Sequence, residues 1–271
     1  MKITFIGGGN MAVALIGGII GKGRAAAAIG VVEPQAEARA RLTAQFGVAC
    51  VDNVHAAAPL GDVVVLAVKP QQMRTAALVL KPMLARELVI SIAAGIRLTD
   101  LSRWLGGYAT LVRCMPNTPA LIGAGISGLY ATTGVGAVQR SQAESILGAV
   151  GATLWVAREE MLNPVTAISA SGPAYVFYFI EALQRAATEM GFSADDARRL
   201  AVETFVGSAK LAAQSAEDVG LLRERVTSKG GTTERALASM DADRVKDLIV
   251  RALHAANQRA NELGAQLGAD E

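Results

Sequence analysis

Residues 3–21 constrain this chain more than any other stretch. Ile3-Thr4-Phe5-Ile6 is a short apolar run, Gly7-Gly8-Gly9 stops it, and Met11, Leu15, Ile16 and Ile19 then recur at helical spacing. Strand, glycine turn and helix in that order open a dinucleotide-binding unit. Gly7 lets the chain turn tightly, Gly9 leaves room for a pyrophosphate beside the backbone, and Ala12 is the small residue that lets the helix pack close to the strand. The amides near Asn10 and Met11, at the positive end of the helix dipole, face the phosphates in this reading. Ile6 to Ala12, with Gly8 inside it, is therefore the expected phosphate-binding segment, and a plain structural turn is the alternative.

The remaining composition says what kind of chemistry to expect. Of the 271 residues 52% are hydrophobic and 18% charged, which supplies a core and excludes disorder. Mean hydropathy is +0.35, yet no run of about 18 residues is free of Gly, Asn, Lys or Glu interruption, so no membrane span is expected. The glycines at 7–9 also cut the first apolar region too short for a signal peptide, and the expected location is cytoplasmic. A net charge of +2 gives no electrostatic case for nucleic acid or membrane. Cys50 and Cys114 lie far apart and read as reduced core thiols. With only His55 and His254 there is no metal constellation and no Ser-His-Asp set, so a cofactor must carry the chemistry.

Residues 1–157 read as a mostly parallel sheet of the Rossmann type. Ile29 to Val32 is a second strand ending at Glu33-Pro34, with a helix from Ala36 to Phe46 and a short strand from Val48 to Val51. An acidic residue about 20 positions past the glycine turn commonly holds the adenine-ribose hydroxyls, and a carboxylate repels a 2′-phosphate. Glu33 fits that role and points toward NADH; a helix-start cap before Pro34 fits it equally. Asn53, in the turn after the third strand, can meet adenosine polar groups. Asp62 to Val68 is the clearest buried strand, and its carboxyl end, Ala67-Val68-Lys69-Pro70, falls where ligands bind in open α/β sheets. Lys69 there suits a phosphate, a ribose or a substrate, or simply a Lys-Pro turn. Leu88 to Ile92 runs into Ala93-Ala94-Gly95, a small-residue edge against which a flat ring can lie. The strand from Ala109 ends in Cys114-Met115-Pro116-Asn117-Thr118-Pro119, where two prolines fix a rigid loop at the same edge. Ile126 to Tyr130 and Thr153 to Val156 complete the sheet around a helix from about Val138 to Val150.

From Arg158 onward, helical patterns replace strands, so residues 158–271 read as a second, all-helical domain. One helix is expected over roughly Leu162 to Met190, interrupted by Ser169 to Tyr175 and bent at Pro173; others run from Ala194 to about Ser215, capped by Ser193, and from about Asp243 to Gly264. Between the last two, Ser228 to Thr233 is a polar glycine turn that opens a helix carrying Ala236, Leu237 and Met240. Helix-start amides flanked by hydroxyls and Lys229 suit a small carboxylate. A simple cap by Thr232 or Thr233, with Glu234 in the first turn, is the alternative.

Taken together, these stretches resemble pyrroline-5-carboxylate reductase over nearly the whole chain. The resemblance is carried by Ile6-Gly7-Gly8-Gly9-Asn10-Met11-Ala12, Ala67-Val68-Lys69-Pro70, Ser91-Ile92-Ala93-Ala94-Gly95 and Met115-Pro116-Asn117-Thr118-Pro119. Two further stretches are specific in this order and at this distance: Ser171-Gly172-Pro173-Ala174-Tyr175 and Val226-Thr227-Ser228-Lys229-Gly230-Gly231-Thr232-Thr233. Ala170 departs from the glycine usual in the family. The resemblance implies reduction of 1-pyrroline-5-carboxylate to proline by NADPH or NADH, the last step of proline synthesis. It implies an intertwined homodimer built by the helical domain, often gathered into larger rings, with each site shared between subunits. It further implies that Ser228, Gly230, Gly231, Thr232 and Thr233 hold the substrate, with Thr233 hydrogen-bonded to the ring nitrogen, and that Val68, Ala93, Ala94 and Asn117 line the nicotinamide. A related β-hydroxyacid dehydrogenase would need a lysine acid/base between Val165 and Tyr178, and none is there. A non-catalytic dinucleotide sensor would have no use for the Ser228–Thr233 turn.

Overall fold

The computed structural model describes residues 1–269. Eight strands form one sheet in the order β3-β2-β1-β4-β5-β6-β7-β8. They are β1 (Ile3–Ile6), β2 (Ile29–Val32), β3 (Ala49–Val51), β4 (Val63–Leu66), β5 (Leu88–Ser91), β6 (Leu111–Met115), β7 (Gly125–Ala131) and β8 (Gly151–Trp155). Every neighbouring pair is parallel except β6 with β7. The fold class matches the expectation from sequence.

β1, β4 and β5 are buried at every position, as parallel strands covered on both faces must be. Successive residues serve opposite faces. Val63 and Val65 of β4, with Leu88 and Ile90 of β5, join the core under α1 (Asn10–Gly21), α2 (Ala36–Phe46) and α5 (Ala137–Leu147). Val64, Leu66 and Val89 join a second core under α3 (Met73–Leu80) and α4 (Leu98–Trp104). Those two short helices carry no clear start signals, and sequence reading missed them. They bury Met73, Ala77, Leu80, Leu98, Leu101 and Trp104, while Leu78 and Val79 of α3 stay exposed.

The chain packs as two compact units. One is Met1–Ser171 together with the last helix from Ala256 on, and the other is Gly172–Ala255. In the first unit, α6 (Leu162–Val165) continues into a π-helical turn, Thr166–Ala170, in which the Ser171 amide donates to the Thr166 carbonyl at 2.9 Å. The expected interruption at residues 169–175 is present, but a π-helical turn and a new helix start make it, not a bend at Pro173 within one helix. α7 (Gly172–Glu189) starts afresh with Pro173 in its first turn, where a missing N–H costs nothing.

The second unit continues with α8 (Ala194–Gln214), α9 (Val219–Arg225) and α10 (Thr232–Ala242), and α11 (Val245–Leu267) begins in it. Ser193 caps α8 as expected, accepting the Asp196 amide at 3.2 Å. α9, capped by Asp218, was not legible. This unit lacks a core of its own: among residues 172–255 only Ala197 and Ala201 are buried, while Phe177, Tyr178 and Met190 are 61%, 72% and 79% exposed. No helix of the described residues is long and apolar enough to cross a membrane.

Inside the first unit one buried ion pair joins three segments. The Arg113 guanidinium on β6 meets the Glu159 carboxylate at 2.9 Å, and the same oxygen accepts the Leu98 amide at the start of α4 at 2.8 Å. Removing one partner of such a pair strands the other in the interior. Glu159→Ala should lower the unfolding free energy by about 3 kcal/mol, measured by urea titration, and a loss under about 1 kcal/mol would contradict this packing role. The cysteines differ in the same way: burial pushes the Cys114 thiol up to about 12, with a Ser127 hydrogen bond opposing, whereas Cys50 is half-buried at the sheet edge. Ellman's reagent at neutral pH should titrate Cys50 in the native protein and reach Cys114 only after unfolding.

Candidate functional site

The glycine turn lies at the carboxyl ends of β1 and β4, where the sheet order reverses direction from the first strand. Gly7 has φ +103°, and a Cβ there would sit 2.7 Å from the Ala67 carbonyl oxygen; only glycine fits. The Gly7 amide donates to Val32 and the Ala67 amide to Ile6, each at 2.8 Å, so the turn is stitched to both flanking strands. A Cβ on Gly9 would meet nothing within 4 Å, which leaves open space over the turn. Helix α1 begins at that open side with Gly9 as its cap, no capping side chain and no acidic residue in its first turn. Uncapped amides, open space and a buried Ala12 suit a pyrophosphate. The residues fit the cofactor that the sequence pointed to.

Glu33 stands beside this turn at the end of β2. Its Oε2 accepts the Gly8 amide and its Oε1 the Gln35 amide, both at 2.9 Å. The carboxylate is thus fixed at the end of β2, and the cap of α2 is Gln35, with no side-chain bond. The neighbouring Arg39 spends one guanidinium nitrogen on the Glu33 and Pro34 carbonyls, at 2.8 and 2.7 Å. Asn53 follows β3 at the same edge. Its Oδ1 accepts the Ala56 amide at 3.0 Å and its Nδ2 donates to Asp52 at 2.6 Å, so the side chain shapes its own loop.

Across the switch point, Ala67 and Val68 are half-buried and Lys69 is exposed, and Pro70 starts a short 3₁₀ turn. Ala93 is buried and Ala94 half-buried at the end of β5; Gly95, at φ +75°, turns the chain away. The end of α11 backs this ledge: a Cβ on Gly95 would lie 2.8 Å from Leu267 Cδ1. Arg103 also holds that end, donating to the Gly268 carbonyl at 2.8 Å. This return of the last helix had no signal in the sequence.

Asn117 is buried, and its carboxamide is turned to protein. Its Oδ1 accepts the Ile126 amide at 2.9 Å, and its Nδ2 donates to the Ser169 carbonyl at 3.2 Å, in the π-helical turn. A π-turn leaves carbonyls without their usual helical partners, and Asn117 takes one of them. The side chain therefore braces the sheet edge.

In the helical unit, Ser228 to Gly231 is a tight turn, closed by the Gly231 amide on the Ser228 carbonyl at 3.0 Å. Gly231 caps α10 without a side-chain bond, so neither Thr232 nor Thr233 is the capping hydroxyl. Both threonines occupy the first turn of α10. They follow Ser228 and Gly230 in a stretch of exposed and half-buried positions. Among the described residues, no three His, Cys, Asp or Glu side chains are grouped to hold a metal ion.

Two family models match the chain. Residues 159–263 match the family model described as pyrroline-5-carboxylate reductase dimerisation, and residues 2–95 match the model described as NADP oxidoreductase, coenzyme F420-dependent. Pyrroline-5-carboxylate reductase of Pseudomonas aeruginosa is 46% identical over 268 residues, covering 98% of both chains. The structure of the Coxiella burnetii pyrroline-5-carboxylate reductase superposes with a TM-score of 0.93 at 40% identity, covering 97% of this chain and 98% of that one. That of Plasmodium falciparum pyrroline carboxylate reductase with NADP bound superposes with a TM-score of 0.86 at 28% identity, over the same shares.

The fixed Glu33 carboxylate gives a direct test of the ribose position. Glu33→Ser removes a negative charge and should raise the affinity for NADPH relative to NADH about tenfold or more, read from two fluorescence titrations. An unchanged ratio would place the ribose elsewhere.

Proposed function

The chain belongs to the pyrroline-5-carboxylate reductase family, and from that membership we propose how its own residues divide the work. The enzyme reduces 1-pyrroline-5-carboxylate to proline with a reduced nicotinamide dinucleotide, the last step of proline synthesis. Bound to the sheet unit, the cofactor supplies the hydride.

Gly7 to Ala12 hold the pyrophosphate, Glu33 the adenine ribose, and Ala67 to Pro70 with Ala93 to Gly95 form the ledge for the nicotinamide. Asn53 meets the adenosine side, and Asn117 keeps the ledge in place. Ser228, Gly230, Gly231, Thr232 and Thr233 bind the substrate carboxylate, with the Thr232 and Thr233 amides as its main partners. Holding the acid group fixes the five-membered ring before the hydride arrives, which removes orientational freedom. The ring nitrogen gains a proton as its C=N bond is reduced, and an imine already protonated is the better acceptor. Thr233 hydrogen-bonds this nitrogen through its hydroxyl and orients it. With no strong general acid in the turn, positioning carries most of the rate.

One observation carries this reading: the first turn of α10 starts at a glycine, leaving its amides without a capping side chain and with two threonine hydroxyls beside them. Residues 158–271 are the substrate-binding and dimerisation part. Copies pair through the helical part, which supports each site being completed by a partner copy, and the pairs gather into a larger ring. The apolar residues left exposed on the lone helical unit favour that pairing. Its place of work is the cytoplasm.

Thr233→Ala should keep the fold and the cofactor affinity while lowering kcat on the imine about ten- to a hundredfold, followed by loss of reduced-nicotinamide absorbance. Unchanged turnover would remove Thr233 from the reaction. Light scattering on an eluting peak gives the assembly, and a monomer at micromolar concentration would refute the shared site.

A further inference from the structure

The turn that leads into α10 is held in one of two available shapes by a side chain with no part in the proposed reaction. Gly230, third of the four turn residues, has φ +73°, whereas Lys229 before it is not at positive φ; among the described residues Arg244 is the one non-glycine that is. A negative φ followed by a positive one defines a type II turn. Its central peptide, here between Lys229 and Gly230, is rotated by about 180° from that of a type I turn. With glycine in the third position both forms are open to the backbone, so the turn sequence alone does not choose.

Glu234 chooses. It is the third residue of α10, and its Oε2 accepts the Gly230 amide at 2.6 Å. A glutamate at this helical position ordinarily reaches back to the amide of the cap residue. Here the cap is Gly231, and its amide is already spent on the Ser228 carbonyl, so the carboxylate takes the next one back. Rotating the central peptide would point the Gly230 amide away from Glu234 and the Lys229 carbonyl toward it, replacing a charged hydrogen bond by repulsion. The bond therefore fixes the turn and, with it, the approach to the amides of Thr232 and Thr233.

We propose that Glu234 is a positioning residue that locks the Ser228–Gly231 turn in its type II form and so sets the grip on the substrate's acid group. The proposal rests on the reading of this turn as the carboxylate clamp, and the test separates the two. Two substrates are compared in steady state: 1-pyrroline-5-carboxylate and 1-pyrroline, the same ring without the acid group.

In the wild type the clamp shows as a much higher kcat/KM for the acid-bearing imine; equal values would overturn the clamp reading itself. Given that preference, Glu234→Ala should raise KM for 1-pyrroline-5-carboxylate about tenfold, with kcat, cofactor affinity and the rate on 1-pyrroline within about twofold. Glu234→Gln keeps an acceptor and should bring KM most of the way back to the wild-type value, which a role through charge alone would not allow. Gly230→Ala disfavours positive φ, where a Cβ would meet nothing within 4 Å, and should reproduce the Glu234→Ala effect. The double variant should then be no worse than either single one, because each frees the same peptide. An unchanged KM in Glu234→Ala, or equal losses on both substrates, would overturn the proposal. Should Glu234→Ala fail to fold, Gly230→Ala and Glu234→Gln carry the same comparison.

Discussion

The missing side chain of Gly7 is what the sheet unit turns on. At this point β1 must leave the sheet next to β4, and the Ala67 carbonyl occupies the space that a Cβ would need. Because that approach is closed, the neighbouring one can be open: the chain clears β4 at Gly7 and begins α1 at Gly9 with its amides uncovered. Substituting Gly7 would displace the end of β4 as well, and with it Ala67 and Val68. The glycine turn after β1 and the segment after β4 are thus two sides of one contact, and neither can shift alone.

The two units meet different physical demands. The sheet unit has alternating branched residues and two continuous cores, so its ligand-bearing edge sits on a rigid support. The helical unit supplies amides and hydroxyls on a short turn, where a small anion can be held by backbone. Reduction of an imine asks for little acid–base machinery and much alignment.

How much of this could be read beforehand follows from the range of each interaction. The strands were legible because β-branched runs such as Val63-Val64-Val65 declare burial on both faces locally. The glycine turn between β1 and α1 was legible because Gly7, Gly9 and Ala12 answer a steric demand within a few residues. Asn117 was read correctly as belonging to the sheet edge, but its side chain grips Ser169, far along the chain, and no local pattern announces that. The backing of Gly95 by Leu267 is hidden for the same reason. Pro173 was misread because proline in the first turn of a helix and proline inside one look alike when the preceding π-turn cannot be seen. Glu234 was noticed as a first-turn acid; its hold on Gly230 depended on knowing that Gly231 was already engaged.

The nearly coreless helical unit has a consequence for how the enzyme comes into being and how long it lasts. A segment that buries only two alanines by itself cannot offset its own ordering entropy, so acquiring structure and meeting another copy become a single thermodynamic event. Thermal tolerance must then rise with the amount of protein present, and dilution acts as a denaturant. Newly made chains depend on encountering one another soon after release, because until then their apolar helix faces are exposed to unproductive aggregation.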